Sequence, residues 1–217
     1  MSDFLKTKSQ FYIPEGIIYL DGNSLGPLTK KAQDRIQHTL NNEWGEMLVT
    51  GWNKAGWMDQ PNKVGDRIAR LIGAAPKTVT VGDTLSIKVF QALASAINFQ
   101  KNRKVLLTDA SNFPSDIYAA QGLINMLKAD HELKIVNTDN LVENINENVA
   151  AIFFTEVDYR TGRRYDAKKI VKTAKQNGAL VILDLAHSAG AIDTNLTELD
   201  VDFAVGCTYK YLNGGPG

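Results

Sequence analysis

The chain has 217 residues, of which 44% are hydrophobic, so it can bury the core of one large domain. Lysine plus arginine equals aspartate plus glutamate at 24 each, and this zero formal charge argues against a nucleic-acid or membrane partner held by charge. A single cysteine excludes an internal disulfide, and no apolar run reaches the roughly 18 residues of a membrane span. We therefore expect a cytoplasmic protein.

The first 60 residues are predicted to form a separate N-terminal segment. A strand is predicted at 17–21, followed by the turn Gly-Asn-Ser-Leu-Gly-Pro, whose residue types favour tight turns. An apolar stripe with helical spacing predicts a helix from about 28 to 44. Residues 45–59, which are rich in tryptophan and glycine, are predicted to be irregular.

From Pro61 onward, helices and strands are predicted to alternate. A helix from Pro61 to Gly73 comes first. Apolar runs and helical stripes then predict, in chain order, strand 78–81, helix 87–97, strand 104–108, helix 117–127, strand 133–136, short helix 141–145, strand 150–155, helix 166–176 and strands 179–183 and 201–205. This alternation predicts an α/β fold with three layers, αβα, around a mainly parallel sheet.

We predict that residues 61–217 form one large domain. Its last residues, Asn-Gly-Gly-Pro-Gly, form a glycine-rich loop with no further element after it. We therefore expect the domain to be incomplete at its C-terminus, as in the N-terminal part of a longer protein.

Two polar residues follow the last two predicted strands, Asp184 after 179–183 and Lys210 after 201–205. In open α/β sheets, ligands bind outside the carboxyl ends of the strands. A carboxylate and an amine placed there predict one aldehyde cofactor, pyridoxal phosphate (PLP). The lysine would form a Schiff base with the aldehyde, and the aspartate would pair with the protonated pyridine nitrogen. The plainer alternative is a helix cap and a solvated charge.

Further candidates lie at the other strand-to-helix turns. Leu85 and Ser86 begin a helix, and backbone N–H groups at a helix N-terminus bind phosphate. Phe113 can stack on a flat ring, and Asp116 and Thr155 can place polar oxygens beside it. As alternatives, these residues are a helix cap, a core aromatic and a strand end.

His187 and Cys207 complete the candidates. His187 lies three residues past Asp184, so both side chains can face one pocket, where the histidine would orient Asp184 or reach the cofactor phosphate. The spacing of histidine and cysteine does not indicate a metal site. Cys207 is interpreted as a small buried residue, because no activating base is near it in sequence.

Five segments spread over residues 17–217 carry a family resemblance. They are IYLDGNSLGPL, TGWNKAGW, NFPSDIYAAQG, DLAHSAG and VDFAVGCTYKYLNGGPG. Together they resemble the kynureninase family, PLP enzymes with the fold of the aspartate aminotransferases. The resemblance implies hydrolysis of L-kynurenine or its 3-hydroxy form to anthranilate or 3-hydroxyanthranilate and L-alanine. This reaction belongs to tryptophan catabolism and, in some organisms, to NAD biosynthesis.

The resemblance also implies residue roles. Lys210 would hold PLP and act as a base, Asp184 would pair with the pyridine nitrogen, and Tyr209 would donate protons. The remaining implied contacts are Tyr209, His187, Leu85 and Ser86 on the phosphate side, Phe113, Asp116 and Thr155 around the ring, and Asn23, Ser24 and Trp52 beside the substrate. Family members are homodimers about twice this length, with a smaller C-terminal domain that has no counterpart in these 217 residues.

Two alternatives stay open. One is another class V PLP enzyme, such as a desulfurase or an aminotransferase. A desulfurase needs a catalytic cysteine on a mobile loop, and Cys207 is poorly placed for that role because it is close to the predicted Schiff-base lysine. The other alternative is an inactive truncated fragment that binds PLP or a full-length partner.

Overall fold

The computed structural model describes residues 3–127 and 130–216, which form two compact units. One unit comprises the described residues of 1–82 and 208–217, and the other comprises Asp83–Cys207. The predicted domain boundary at residue 60 stays a prediction. Within the described ranges, no helix is both long and apolar enough to cross a membrane.

The unit that contains the N-terminal residues is built from helices and irregular loops. Its α-helices are α1 (Asp3–Lys8), α2 (Lys30–His38), α3 (Gly51–Lys54) and α4 (Gln60–Leu71). Thr29 caps α2, because its side-chain oxygen accepts the Ala32 N–H at 3.2 Å. A π-helical stretch, Thr39–Glu46, continues α2, and α4 carries the expected proline in its first turn.

Two strands predicted in this unit do not form, since a strand needs a neighbouring ladder to satisfy its backbone. Residues 17–21 are irregular, with Ile18 and Leu20 each 85% exposed. Residues 78–81 instead pack on α4. The Val81 N–H donates to the Pro61 carbonyl oxygen at 3.3 Å, so this backbone bonds to the start of a helix.

The unit 83–207 is organised around a five-stranded parallel sheet. Its strands are β1 (Val105–Asp109), β2 (Glu132–Val136), β3 (Val149–Thr155), β4 (Leu180–Asp184) and β5 (Phe203–Val205), in the order β2-β1-β3-β4-β5. Every residue of β3 is buried, as expected of a strand that is covered on both faces. The predicted α/β fold with a parallel sheet is therefore confirmed.

Helices cover this sheet. They are α5 (Leu85–Phe99), α6 (Pro114–Leu127), α7 (Ala167–Gln176) and the short α8 (Leu196–Leu199). The main apolar core joins α5 and α6 to one face of the sheet, with Val89, Leu93, Ala96, Leu106, Ala120, Leu123, Phe153 and Ile182. Ile152 and Phe154 point to the other face and are fully buried as well, and α7 packs against β4.

Two predicted details of this unit are wrong, and one short helix was missed. The short helix at 141–145 is instead two 3-10 turns, Thr138–Asn140 and Val142–Asn144, and the first begins where the Asn137 side chain caps it. The strand predicted at 201–205 begins only at Phe203. Asp202 precedes it, and its carboxylate accepts the Val181 N–H at 2.8 Å in place of a backbone partner. Helix α8 was not predicted, because four residues are too short for a helical stripe.

Candidate active site

The order of the strands predicts where the unit 83–207 would bind a ligand. From β1, the sheet grows to β2 on one side and to β3, β4 and β5 on the other. In parallel sheets of this order, ligands bind outside the carboxyl ends of the two strands where the direction reverses, here β1 and β3. The residues at these ends, at the end of the neighbouring β4 and in the loops after them are therefore the candidate site.

Thr155 and Asp184 lie side by side, paired in register at the ends of β3 and β4. They are 3% and 4% exposed. An Asp184 carboxylate oxygen, Oδ1, accepts the Ala186 N–H at 2.8 Å, and Thr155 Oγ1 donates to the Val157 carbonyl oxygen at 2.8 Å. A carboxylate buried this deeply is stable when hydrogen bonds and a positive charge offset its desolvation. Asp184 is thus suited to hold a protonated ring nitrogen.

Phe113 and His187 both contact Tyr159, a residue that the sequence analysis did not single out. The Phe113 and Tyr159 rings meet edge to face, with their centroids 4.9 Å apart, and the His187 ring lies 6.3 Å from Tyr159. The Arg160 guanidinium lies 5.1 Å from the Tyr159 ring centroid and donates to its hydroxyl at 2.7 Å. Tyr159 lies in an irregular loop, so no periodic pattern marks it. Its only sequence signal is an aromatic residue beside the turn at Gly162.

The first turn of α5 offers an anion-binding terminus. Thr84 is its N-cap, with Leu85 half-buried and Ser86 exposed at the first two helical positions. Lys88 lies in the same turn and bonds through Nζ to Asp83 Oδ2 at 3.0 Å. The positive end of a fifteen-residue helix favours phosphate at this terminus.

Asp116 is deeply buried, at 1% exposure, in the first turn of α6. Its backbone N–H donates to the Phe113 carbonyl oxygen at 3.0 Å, and Ser115 Oγ donates to its carboxylate at 3.3 Å. Because the two residues share one turn, a change at Asp116 also affects the placement of Phe113.

A second buried network, around Asp109 at the end of β1, was also missed by the sequence analysis. Asp109 Oδ1 accepts from the Ser111 N–H, the Thr138 hydroxyl and the Tyr165 hydroxyl, each at 2.9 Å. The other carboxylate oxygen, Oδ2, is buried with no hydrogen-bond partner among the described residues. Burial, together with the Asp109 charge, raises the pKa of Tyr165 well above its ordinary range. The network ties the end of β1 to the loop before α7.

Lys210 belongs to the other unit, where a glycine turn holds its backbone. Lys210 is 6% exposed, and its Nζ lies 5.6 Å from the Tyr209 ring centroid. The Gly26 N–H donates to the Tyr209 carbonyl oxygen at 2.7 Å, and a side chain at Gly26 would overlap the Lys210 carbonyl oxygen. Asn213 closes the loop with bonds to the carbonyl oxygens of Lys210 and Pro27. The Gly-Asn-Ser-Leu-Gly-Pro turn therefore positions the lysine.

The residues predicted to approach substrate lie in this same unit. Asn23 is half-buried, and Ser24 is exposed in a turn closed by its own N–H to the Asp21 carbonyl oxygen. Trp52 is 50% exposed, and its ring meets that of Trp57 edge to face at 5.8 Å. The roles implied for Asn23, Ser24 and Trp52 stay predictions.

Comparison with known proteins decides the family. The family model described as aminotransferase class-V matches residues 18–217. The chain belongs to the class-V aminotransferase family. Class-V family members similar to this chain include proteins named kynureninase from Burkholderia mallei (strain SAVP1) and Pseudomonas fluorescens, 46% and 45% identical over 215 residues. Each match covers 97% of this chain and 52% of the relative, so the chain spans about half the length of these proteins.

Solved structures of class-V type have the same fold. A cysteine desulfurase from Escherichia coli superposes with a TM-score of 0.79 at 14% identity, over 97% of this chain and 55% of that one. A cysteine desulfurase from Thermococcus onnurineus NA1 gives 0.76 at 18% identity, over 97% and 54%. At these identities the likeness supports the fold alone, and it confirms the predicted PLP-dependent transferase architecture.

Enzymes of the class-V family use PLP, as predicted from the sequence. The chemistry of the described residues fits this cofactor. A buried carboxylate at Asp184, an aromatic ring at Phe113 and the capped terminus of α5 match the ring nitrogen, the ring face and the phosphate in turn. In the other unit, the Lys210 side chain is buried as well.

Proposed function

We propose that the protein hydrolyses L-kynurenine, or its 3-hydroxy form, to anthranilate or 3-hydroxyanthranilate and L-alanine. The observation that carries this proposal is the 46% identity to a kynureninase across 97% of the chain. The reaction adds one water across the bond between the β- and γ-carbons. It belongs to tryptophan catabolism and NAD biosynthesis in the cytoplasm, and the working form is a homodimer.

Different residues of the site bind different parts of the cofactor ring. Bound PLP supplies an electron sink for a carbanion at the α-carbon. Asp184 keeps the pyridine nitrogen protonated, since a buried carboxylate stabilises a nearby positive charge. Phe113 would contact the ring face, and Asp116 and Thr155 would lie beside the ring.

The phosphate contacts come from four residues in this proposal. Leu85 and Ser86 offer backbone N–H groups at the start of α5, and the serine adds its hydroxyl. His187 and Tyr209 provide ring N–H and hydroxyl donors.

Lys210 and Tyr209 move protons. The Lys210 amine would hold the cofactor and, as a free amine, would take the proton from the substrate α-carbon. Tyr209, whose ring lies beside the lysine Nζ, donates protons to the departing fragments. Asn23, Ser24 and Trp52 contact the substrate, with the Trp52 ring beside its aromatic end.

Two assays on the purified chain with added PLP test the function. We expect anthranilate fluorescence to appear with L-kynurenine, and no sulfide to be released from L-cysteine. Sulfide without anthranilate would support the desulfurase alternative, for which the half-buried Cys207 is the available thiol. Neither product from a chain that retains PLP would support the inactive-fragment alternative. Lys210→Ala is the control for both assays.

A further inference from the structure

Glu43 is a buried carboxylate in a segment whose other residues are largely exposed. It is 5% exposed, whereas the next residue, Trp44, is 64% exposed. Burying a carboxylate is costly unless charged or hydrogen-bonding groups offset its desolvation. The groups that surround Glu43 therefore indicate what it does.

The two carboxylate oxygens of Glu43 bind different parts of the chain. Oε1 pairs with the Arg35 guanidinium of α2 and lies 3.7 Å from His38 Nε2. Oε2 accepts the indole N–H of Trp57 at 2.8 Å. The bond from Arg35, followed by that from Trp57, holds the pKa of Glu43 below its usual range, so the carboxylate stays ionised. Glu43 thus ties helix α2 to the loop after α3.

The same cluster fixes the start of α3. A side chain at Gly51 would crowd both the Glu43 carbonyl oxygen at 2.9 Å and the Trp57 ring at 3.0 Å, so α3 begins in direct contact with this pair. Trp52 is the next residue, and its ring meets the Trp57 ring edge to face with an interplanar angle of 80°. Two contacts in a row, from the Glu43 carboxylate to Trp57 and from Trp57 to Trp52, define the orientation of a half-exposed indole.

We propose that Glu43 is a positioning residue for substrate recognition, which acts through Trp57 to hold the Trp52 ring as a wall for the aromatic ring of the substrate. The inference rests on the proposed function, because that function supplies an aromatic substrate. Glu43 itself does not touch the substrate. Its removal therefore weakens substrate binding and leaves the chemical step unchanged.

Tryptophan fluorescence tests, without any substrate, whether Glu43 holds Trp57 and Trp52 in place. The chain has three tryptophans, so a Trp44→Phe background leaves only Trp52 and Trp57 to emit. We expect Glu43→Gln in this background to increase acrylamide quenching, because the indole that loses its ionised partner becomes mobile. The matched control is Glu46→Gln, which changes an exposed acid of the same π-helical stretch. Equal quenching in the two variants would overturn the proposal.

Steady-state kinetics with L-kynurenine test whether this positioning contributes to substrate binding. We expect Glu43→Gln to raise KM about tenfold with kcat within about twofold, as for the loss of one hydrogen bond to a charged group. Trp57→Phe keeps a ring and removes only the N–H donor, so it should shift KM in the same direction even if Glu43→Gln folds poorly. A fall in kcat at constant KM would contradict the inference.

The two tests separate this inference from the function on which it rests. If the unsubstituted protein does not cleave kynurenine, the proposed function fails, and the proposed role of Glu43 in substrate binding fails with it. The quenching result still decides whether Glu43 holds the tryptophans. If the protein cleaves kynurenine but Glu43→Gln matches Glu46→Gln in KM, the inference alone is wrong.

Discussion

Asp184 is a buried carboxylate at the end of β4. Asp184→Asn preserves the shape of the side chain and removes the negative charge that would face a protonated ring nitrogen. We expect PLP retention to weaken by about tenfold to a hundredfold, the usual range for losing a bond to a charged group. A titration of the chain with PLP, followed by absorbance, gives the dissociation constant.

The control for this change is Asp193→Asn, which alters an exposed acid of the same unit. Its dissociation constant should stay within about twofold of the unsubstituted chain, because exposed charges contribute little. Equal affinities for Asp184→Asn and Asp193→Asn would show that the buried carboxylate does not hold the ring.

The Tyr159 ring contacts both Phe113 and His187. Edge-to-face aromatic pairs contribute about 0.5–1.5 kcal/mol beyond the area they bury. We therefore expect Tyr159→Leu to lower the free energy of unfolding by about 1 kcal/mol, and Tyr159→Phe, which keeps the ring, to lower it by less than about half of that. Urea unfolding measures both. If the two variants have equal free energies of unfolding, the contacts of the Tyr159 ring do not stabilise the fold.

At the scale of elements, α4 packs so closely on residues 79–80 that only glycine fits at the contact. A side chain at Gly65 would overlap the Val79 carbonyl oxygen. Replacing a helical glycine with alanine ordinarily stabilises a helix by about 1 kcal/mol. We expect the opposite here, so Gly65→Ala should lower the melting temperature.

Gly122 provides the matched case in α6. It is also a helical glycine, but a side chain there would meet nothing within 4 Å. Gly122→Ala should raise the melting temperature by a few degrees. If both substitutions shift the melting temperature in the same direction, α4 does not pack so closely on residues 79–80 that only glycine fits at position 65.

Tyr165 joins two elements and gives the fold a specific pH dependence. Its hydroxyl donates to Asp109 from a buried position, and burial, with the Asp109 charge, raises its pKa above the ordinary value of 10.0. A raised pKa means that the folded state favours the protonated hydroxyl. The stabilisation is therefore complete below about pH 10 and is lost as the pH rises through the folded-state pKa.

The variant Tyr165→Phe measures this contribution directly. It should lower the free energy of unfolding at neutral pH by about 1–3 kcal/mol, because Asp109 loses a buried donor. The difference between the unsubstituted chain and the variant should stay constant up to about pH 10 and shrink above it. Chemical denaturation at several pH values gives the comparison. A difference that grows above pH 10 would contradict the assignment.

Most elements of the sheet were predictable, and the exceptions have local causes. Runs such as 150–154 and 179–183 are apolar throughout, and only a strand covered on both faces buries such a run. The run 17–20 is also apolar, yet it is irregular in the structure. The run 78–81 bonds to α4. A sequence pattern records which side chains can be buried and not whether a partner strand is present.

At the scale of the whole molecule, site residues at strand ends were predictable from the sequence, and site residues held by long-range contacts were not. Thr155 and Asp184 end their strands, and parallel pairing alone brings such residues together. Tyr159, the Asp109 network and Glu43 were missed, because their contacts join residues far apart along the chain or in irregular loops. No periodicity marks such residues, and only the tertiary structure reveals their partners.

We propose that the chain holds PLP covalently through Lys210, and one measurement tests this linkage directly. The chain is incubated with PLP, reduced with borohydride, digested and mapped by mass spectrometry. We expect the added mass on the peptide that contains Lys210, and no labelled peptide in the Lys210→Ala variant. A label on other lysines, or an equal label in the variant, would contradict the account.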